Sequence, residues 1–306
     1  LINDIIELVK KITPSTKTLL VPESLLGKIK DFYLDHKEKS PHPSIVFFAK
    51  LEHFTISVYE AKAEKCKVLY QGFEFDEDAA LWLKNNQPIK PVATHYGSDE
   101  VGTGDFFGPV VVTASLVFDK DVEFLTGLGI TDSKLIADPT ILKMADQMTG
   151  RIAHVTTIVN PLKYQAMVAK GYNLNEIKAK LHHHALLTLK EKVNVDAPMI
   201  IDQFASEEKF HSYLKGQKPI PNLVLKEKAE TQFLAVAASS ILARAKFIRA
   251  MNDMGRLFTV KLPFGASDKV EQFAYEFAQH HGLETLKSIC KTNFKTLKKI
   301  TDRLGS

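Results

Sequence analysis

Apolar and polar positions alternate in three closely spaced runs near the start of the chain: SIVFFAK, FTISVYEA and CKVLYQGFEF. A period of two turns every second side chain to one face, so each run predicts a strand buried on one side. TKTLLV upstream predicts a fourth. Between them, PESLLGKIKDFYLDHK spaces Leu25, Ile29, Phe32 and Leu34 at near-helical intervals behind Pro22, which predicts a helix. DEDAALWLKNN predicts another, with acids in the first turn where the helix dipole favours them. NNQPIKPVA, Asn85 to Ala93, has two prolines and polar neighbours and reads as a linker. The pattern divides the chain into a small α/β unit at 1–86, a linker at 87–93 and a larger unit at 94–306.

The larger unit opens as strand, glycine turn, strand from Thr94 to Val117. HVTTIVNPL predicts a third strand. NLNEIKAKLHHHALLTLKEKV predicts a long helix with Leu174, Ile177, Leu181, Ala185 and Leu189 on one face. APMIIDQFA reads as a buried strand ending at Asp202, and PNLVLKEKAE as a strand ending near Glu230. TQFLAVAASSILARAKFIRAMNDM predicts a helix whose small residues, Ala235 to Ser240, suit close packing on a sheet. The rest is mostly helical. This order predicts a mixed sheet covered by helices.

Composition narrows the class. The 306 residues are 45% hydrophobic and 25% charged, ordinary for a globular protein with a sizeable core. No apolar run approaches the roughly 20 residues of a membrane helix, so no membrane partner is expected. The first residues do not read as a signal peptide. Cys66 and Cys290 are far apart, which speaks against a disulfide framework or zinc site and for a reducing compartment, the cytoplasm. Net charge is +4. Residues 1–86 hold 12 Lys/Arg against 13 Asp/Glu, and the remainder 28 against 23. The basic surplus therefore belongs to the larger unit, and suits a polyanionic partner.

An acid ends an apolar strand three times: the doublet Asp99–Glu100, Asp202, and Glu230. Any one of these acids suits a turn or a helix cap. Together they are four carboxylates in one unit, and such a cluster repels itself unless a cation compensates it. All-oxygen ligands suit Mg²⁺ or Mn²⁺.

The doublet sits in GSDEVGTGDFFGPVV, which closely resembles the signature of type 2 ribonucleases H, the HII/HIII group. TDSK (Thr131 to Lys134), IIDQF and KAETQFLAVAASSILAR follow in the order of that family, and the resemblance runs from Thr94 to about Leu304. Ribonuclease HII has an arginine between the two glycines after the doublet and an aspartate as fourth acid. This chain has Thr103 and Glu230 there, as ribonuclease HIII does. The element order of residues 17–86 resembles the small TATA-binding-protein-like substrate domain carried by HIII enzymes.

The resemblance implies a ribonuclease H-like mixed five-stranded sheet with flanking helices, and endonucleolytic hydrolysis of the RNA strand of RNA–DNA hybrids. It implies 5′-phosphate and 3′-hydroxyl ends. It gives Asp99, Glu100, Asp202 and Glu230 the catalytic and metal-holding role. Gly102, Thr103 and Gly104 would face the sugar, where the 2′-OH in the wide minor groove separates RNA from DNA. Ser133 and Lys134 would face the phosphate backbone. Adjacent residues of a straight strand face opposite ways, so the glycines are expected to bend the chain and turn Glu100 in beside Asp99. The alternatives are an HII-like enzyme cutting at single embedded ribonucleotides, which Thr103 opposes, and a non-catalytic nucleic-acid binder, which four acids facing phosphate oppose.

Three further features read as structural. His182, His183 and His184 are consecutive on a helix and diverge by about 100° each, so they suit packing or solvent rather than one ion. The aromatics of SIVFFAK and LYQGFEF alternate as core residues do. The basic stretch ETLKSICKTNFKTLKKITDR suits a solvated face or a backbone-tracking role. A monomer is expected. Residues 1–86 are expected to add affinity for substrate, which with a net charge of −1 requires Lys10, Lys17, Lys28, Lys30, Lys50 or their neighbours to gather on one face, away from the acids.

Overall fold

The computed structural model describes residues 14–60, 65–84, 93–130 and 136–305. It divides into two compact units. Most of the expected linker, residues 85–92, and the TDSK residues 131–135, Ser133 and Lys134 included, lie outside the described residues.

The N-terminal unit is a four-stranded antiparallel sheet in the order β1-β4-β3-β2. Its strands are β1 (Ser15–Pro22), β2 (Ile45–Lys50), β3 (Phe54–Tyr59) and β4 (Lys65–Gly72). Helices α1 (Leu26–Phe32) and α2 (Asp76–Lys84) cover one face. The alternation in the sequence is the cause: Leu19, Val21, Phe47, Ile56, Val58, Val68 and Tyr70 turn inward and pack against Ile29, Ala79 and Trp82. Trp82 Nε1 donates to Tyr33 Oη, and Tyr33 Oη donates to Asp78 at 2.9 Å, so the polar edges of the buried aromatics are satisfied.

The larger unit is a five-stranded mixed sheet in the order β7-β6-β5-β8-β9. Strands β5 (His95–Val101), β6 (Val110–Val117) and β7 (Ala153–Val159) run antiparallel, while β8 (Met199–Asp202) and β9 (Leu223–Lys226) extend β5 in parallel. Every residue of β6 is buried, as a strand covered on both faces must be. Between β6 and β7 come α3 (Val122–Gly127) and α4 (Asp138–Thr149), and after β7 comes α5 (Pro161–Ala169). One face of the sheet packs on α6 (Leu174–Val193), through Val112, Ala114 and Leu116 against Ile177, Leu181 and Leu186. Helix α7 (Glu207–Tyr213) follows β8. The other face packs on α8 (Leu234–Leu257), which lies close because its first turns are small. A Cβ on Gly97 would run into the backbone of Ala235 and Val236. Ser115 Oγ donates to Ala235 O at 2.7 Å, and His95 Nε2 accepts from Ala235 N at 3.1 Å, which pins the same end of the helix. Helices α9 (Asp268–His281), α10 (Leu283–Ile289) and α11 (Lys295–Leu304) complete the chain.

Two expectations need correction, and one helix has no counterpart among them. HVTTIVNPL leaves the sheet at Val159, because Asn160 caps α5: its Oδ1 accepts from Lys163 N at 2.8 Å and Pro161 occupies the first turn. Strand β9 ends at Lys226, so Glu230 belongs to a 3₁₀ turn, Ala229–Thr231, just ahead of α8. The pattern Ile141, Met144, Ala145, Met148, all buried, makes α4 an amphipathic helix that the sequence reading leaves without an element.

Candidate active site

Parallel pairing of β5 with β8 sets the site. Gly97 lies opposite Ile200 and Ser98 opposite Ile201. One step further brings Asp99 level with Asp202, the last residue of β8. Residues in register on parallel neighbours share a face. Gly97 and Ile200 face α8, so Asp99 and Asp202 do too. The 3₁₀ turn that feeds α8 carries Glu230 to the same corner, because Ala229 packs with Ile200 and Val236. Its amide donates to Asp202 Oδ1 at 2.9 Å, fastening the turn to the strand end.

Asp99 accepts from the amide of Glu100 at 2.8 Å. Burial, reinforced by the charges of Glu100 and Glu230, pushes its carboxyl up to about 8, against the pull of Ser240 and the Glu100 amide. A carboxyl that resists ionisation beside two others is one that a cation would relieve. The donor chemistry therefore fits Mg²⁺ or Mn²⁺: hard carboxylate oxygens from three chain segments at the carboxyl ends of adjacent strands. Among the described residues, no three His, Cys, Asp or Glu side chains are grouped so that they could hold a metal ion as they stand. Asp99, Asp202 and Glu230 are the acids that strand register and the 3₁₀ turn carry to the same corner.

Glu100 does not turn in as expected. β5 stays in register with β6 through Val101 opposite Val111, with no bulge, so Glu100 keeps the parity of Ser98 and faces α6. There Lys178 Nζ lies 2.5 Å from Oε1, and His182 Nε2–H donates to Oε2 at 2.9 Å. The His182 Nδ1 meets Ser98 Oγ at 2.8 Å, and the ring stacks on Phe204. Burial works against the Glu100 charge, but the bond and charge of His182 and the ammonium of Lys178 outweigh it and hold the carboxyl below its ordinary range. The expectation that His182 merely packs misses this contact. Lys178 and His182 stand at i and i+4 on the flank of the apolar stripe of α6, the spacing that could have shown them to share a partner. His183 bonds Lys218 O at 2.7 Å and His184 is exposed.

The glycines divide by task. Gly102 has φ +93 and Gly108 φ +82, and a Cβ would strike Pro109 O and Phe247 at the first and Met251 at the second. The backbone requires both. Gly104 is exposed and a Cβ there meets nothing. Its bareness is not demanded by the fold, and the half-buried Thr103 beside it presents the only side chain between the two glycines.

Comparison with known proteins agrees with this geometry. The family model described as Ribonuclease HII matches residues 96–297, and one described as a domain of unknown function (DUF3378) matches residues 17–93. A ribonuclease HIII of Lactococcus lactis subsp. cremoris is 34% identical over 276 residues, 89% of this chain and 93% of that protein. One of Oceanobacillus iheyensis is 33% identical over 307 residues, 93% and 98% of the two chains. The solved structure of Bst-RNase HIII in complex with Mn²⁺ covers 94% of this chain and 99% of its own, at a TM-score of 0.67 and 27% identity. Ribonuclease H2 from Pyrococcus horikoshii shares the fold over 70% of this chain, at a TM-score of 0.59 and 20% identity. With relatives matched across both units, the chain belongs to the ribonuclease HIII family, endonucleases of the ribonuclease H class that work with a divalent cation.

Proposed function

We propose that this chain cuts the RNA strand of RNA–DNA hybrids at the corner where Asp99, Asp202 and Glu230 meet, with Glu100 as the fourth carboxylate. The observation that carries the reading is the alignment of Asp99 with Asp202 on adjacent parallel strand ends, with Glu230 delivered by the turn fastened to Asp202. Asp99, Asp202 and Glu230 would hold Mg²⁺ or Mn²⁺, and Glu100 joins from the α6 side by an exchange or sharing of its contacts with Lys178 and His182. A bound ion would supply activation of the attacking water and charge compensation at the leaving 3′ oxygen. The amides of Glu100 and Ala229 fix one oxygen each of Asp99 and Asp202, which orients both carboxylates before substrate arrives. Thr103 and Gly104 approach the ribose, and Ser133 and Lys134 the phosphates.

Residues 1–86 add substrate affinity. The outward strand positions of the small sheet are Thr16, Thr18 and Leu20 on β1, Phe48 and Lys50 on β2, Thr55, Ser57 and Tyr59 on β3, and Lys65, Lys67, Leu69 and Gln71 on β4. They include three lysines and no acid. Lys67 Nζ lies 4.9 Å over the Tyr59 ring. Of the lysines expected to gather, Lys50 joins this face. Lys17 instead pairs with Asp76, Lys28 and Lys30 ride on α1 on the helical side, and Lys10 lies outside the described residues. With lysines and aromatics and no acid among these described strand positions, the face suits a duplex backbone despite the net charge of −1. No helix of the described residues is long and apolar enough to cross a membrane, and a cytoplasmic monomer is the working form we propose.

The test is cleavage of two labelled duplexes, an RNA–DNA hybrid and a DNA with one ribonucleotide, with Mg²⁺ and Mn²⁺ in parallel. The reading expects the hybrid to be cut and the single ribonucleotide to be spared, because Thr103 stands where the HII arginine would. Efficient cutting of the single-ribonucleotide duplex favours the HII-like alternative.

A further inference from the structure

Lys291 is fully buried. Its ammonium donates to Asp105 O at 2.7 Å, Gly108 O at 2.8 Å and Phe107 O at 3.3 Å. Three donors meet three backbone acceptors, all in the segment that follows Gly102-Thr103-Gly104. The backbone of the same stretch repeats the grip. Lys291 N donates to Phe106 O at 2.8 Å, Gly108 N donates to Ile289 O at 2.9 Å, and Phe107 pairs with Cys290. From the other side Gly265 N donates to the Asp105 carboxylate at 2.6 Å, and Phe106 N donates to Gly265 O at 2.8 Å. Phe106, Phe107 and Phe294 fill the surroundings.

Burying an ammonium here is costly for stability, and a well-packed apolar side chain of similar volume generally serves a core as well or better. What the charge adds is direction. Carbonyls of three nearby residues are all aimed at one point, so the segment has little freedom left. Lys291 has no exposed surface, and burial lowers its ammonium to about 8 against the opposing influence of Asp105 and Cys290.

We propose that Lys291 is a positioning residue for substrate selection: through the carbonyls of Asp105, Phe107 and Gly108 it holds Thr103 and Gly104 at the height from which they meet the ribose. The proposal rests on the reading of that loop as the sugar-contacting element. Lys291 touches no substrate itself.

The experiment compares Lys291→Met, Lys291→Arg and Gly104→Val in the full-length enzyme. Steady-state cleavage is measured on an RNA–DNA hybrid and on the same hybrid with 2′-fluoro sugars flanking the cut. Hydrogen exchange is followed over residues 102–108. Displacing a positioned group by about 1 Å can cost on the order of a hundredfold. Lys291→Met should therefore raise KM by about ten- to a hundredfold with kcat changed less, narrow the preference for ribose over 2′-fluoro, and speed exchange in the loop. Lys291→Arg keeps the charge and should recover part of the preference. If Lys291→Met does not fold, Lys291→Arg carries the test, because the larger guanidinium shifts the same carbonyls and should still raise KM.

Gly104→Val separates the two claims. If it raises KM while a folded Lys291 variant leaves KM and sugar preference unchanged, the positioning role is wrong and the loop reading stands. If neither variant moves KM or preference, the loop reading falls too. Loss of thermal stability with unchanged KM and preference in the folded fraction would make Lys291 purely structural and overturn the proposal.

Discussion

Asp99→Asn should make the metal-free protein more stable, by an amount that grows with pH. The Asp99 carboxyl is held at about 8 against an ordinary 3.8. Between those values the unfolded chain has released the proton and the native protein has kept it. Wild-type stability therefore falls as pH rises, by about 1.4 kcal/mol per unit, and levels off above the folded value. Asparagine carries no proton to lose in either state, and its Oδ1 can still accept from the Glu100 amide. The variant's advantage should be near zero at pH 4 and grow by roughly 3 kcal/mol from pH 5 to pH 7. For a unit of this size that corresponds to a Tm difference of roughly 5–10 °C. The assay is calorimetric unfolding of both proteins with chelator at pH 5, 6, 7 and 8, then with Mg²⁺. Metal binds the native wild type and stabilises it, so the advantage should shrink or reverse. Cleavage by the variant should be abolished. A pH-independent difference, or an advantage that Mg²⁺ leaves untouched, would refute the crowding of carboxylates on which the site assignment stands.

Three other outcomes follow from the same geometry. His182→Ala removes one of the two groups that hold Glu100 and should cost about 10- to 100-fold in activity or in metal affinity, read by titrating Mn²⁺ calorimetrically and in cleavage assays; unchanged values would make the contact incidental. Gly97→Ala should destabilise by about 1–3 kcal/mol, because the methyl meets the Ala235–Val236 backbone, and denaturant unfolding measures it. A chain starting at Gln87 should keep its metal dependence and kcat but show a raised KM for hybrid, and a KM equal to that of the full chain at several salt concentrations would assign the N-terminal unit another task.

Much of the fold is legible because the sheets obey period two and the long helices obey 3.6. The inward set of the N-terminal sheet and the Ile177, Leu181, Ala185, Leu189 stripe of α6 are where the pattern puts them. What escapes is decided by a few atoms. Asn160 ends a run that looks like continuous strand, because its side chain takes the Lys163 amide and the following proline suits a helix start. Glu230 lies beyond β9 because β8 ends at Asp202 opposite Lys226, and the Ala229 amide then turns onto the Asp202 carboxylate. Neither bond has a period for a hydrophobic pattern to reveal.

The site shows the same division more sharply. The three places where acids close apolar segments, and the family resemblance of the residues around them, are visible in one dimension. The side to which each acid points is not. A straight β5 sends Asp99 to α8 and Glu100 to α6, so neighbours in sequence point to opposite faces of one sheet. The glycines expected to bend Glu100 inward serve other ends: Gly102 and Gly108 let the loop pass Phe247 and Met251, and Gly104 leaves its outer edge bare. Glu100 is held instead by Lys178 and His182, 78 and 82 residues away along the chain. The His182 hydrogen bond and the Lys178 ammonium keep this carboxylate ionised in a buried place, while burial and the charges of Glu100 and Glu230 drive its neighbour Asp99 toward the neutral form. The doublet is thus two acids tuned in opposite directions, Asp99 by burial and its acidic neighbours, Glu100 by two side chains of α6. A cation that draws both together works against one tendency and with the other, and this makes the α6 side the part of the site where substitutions should separate metal binding from stability.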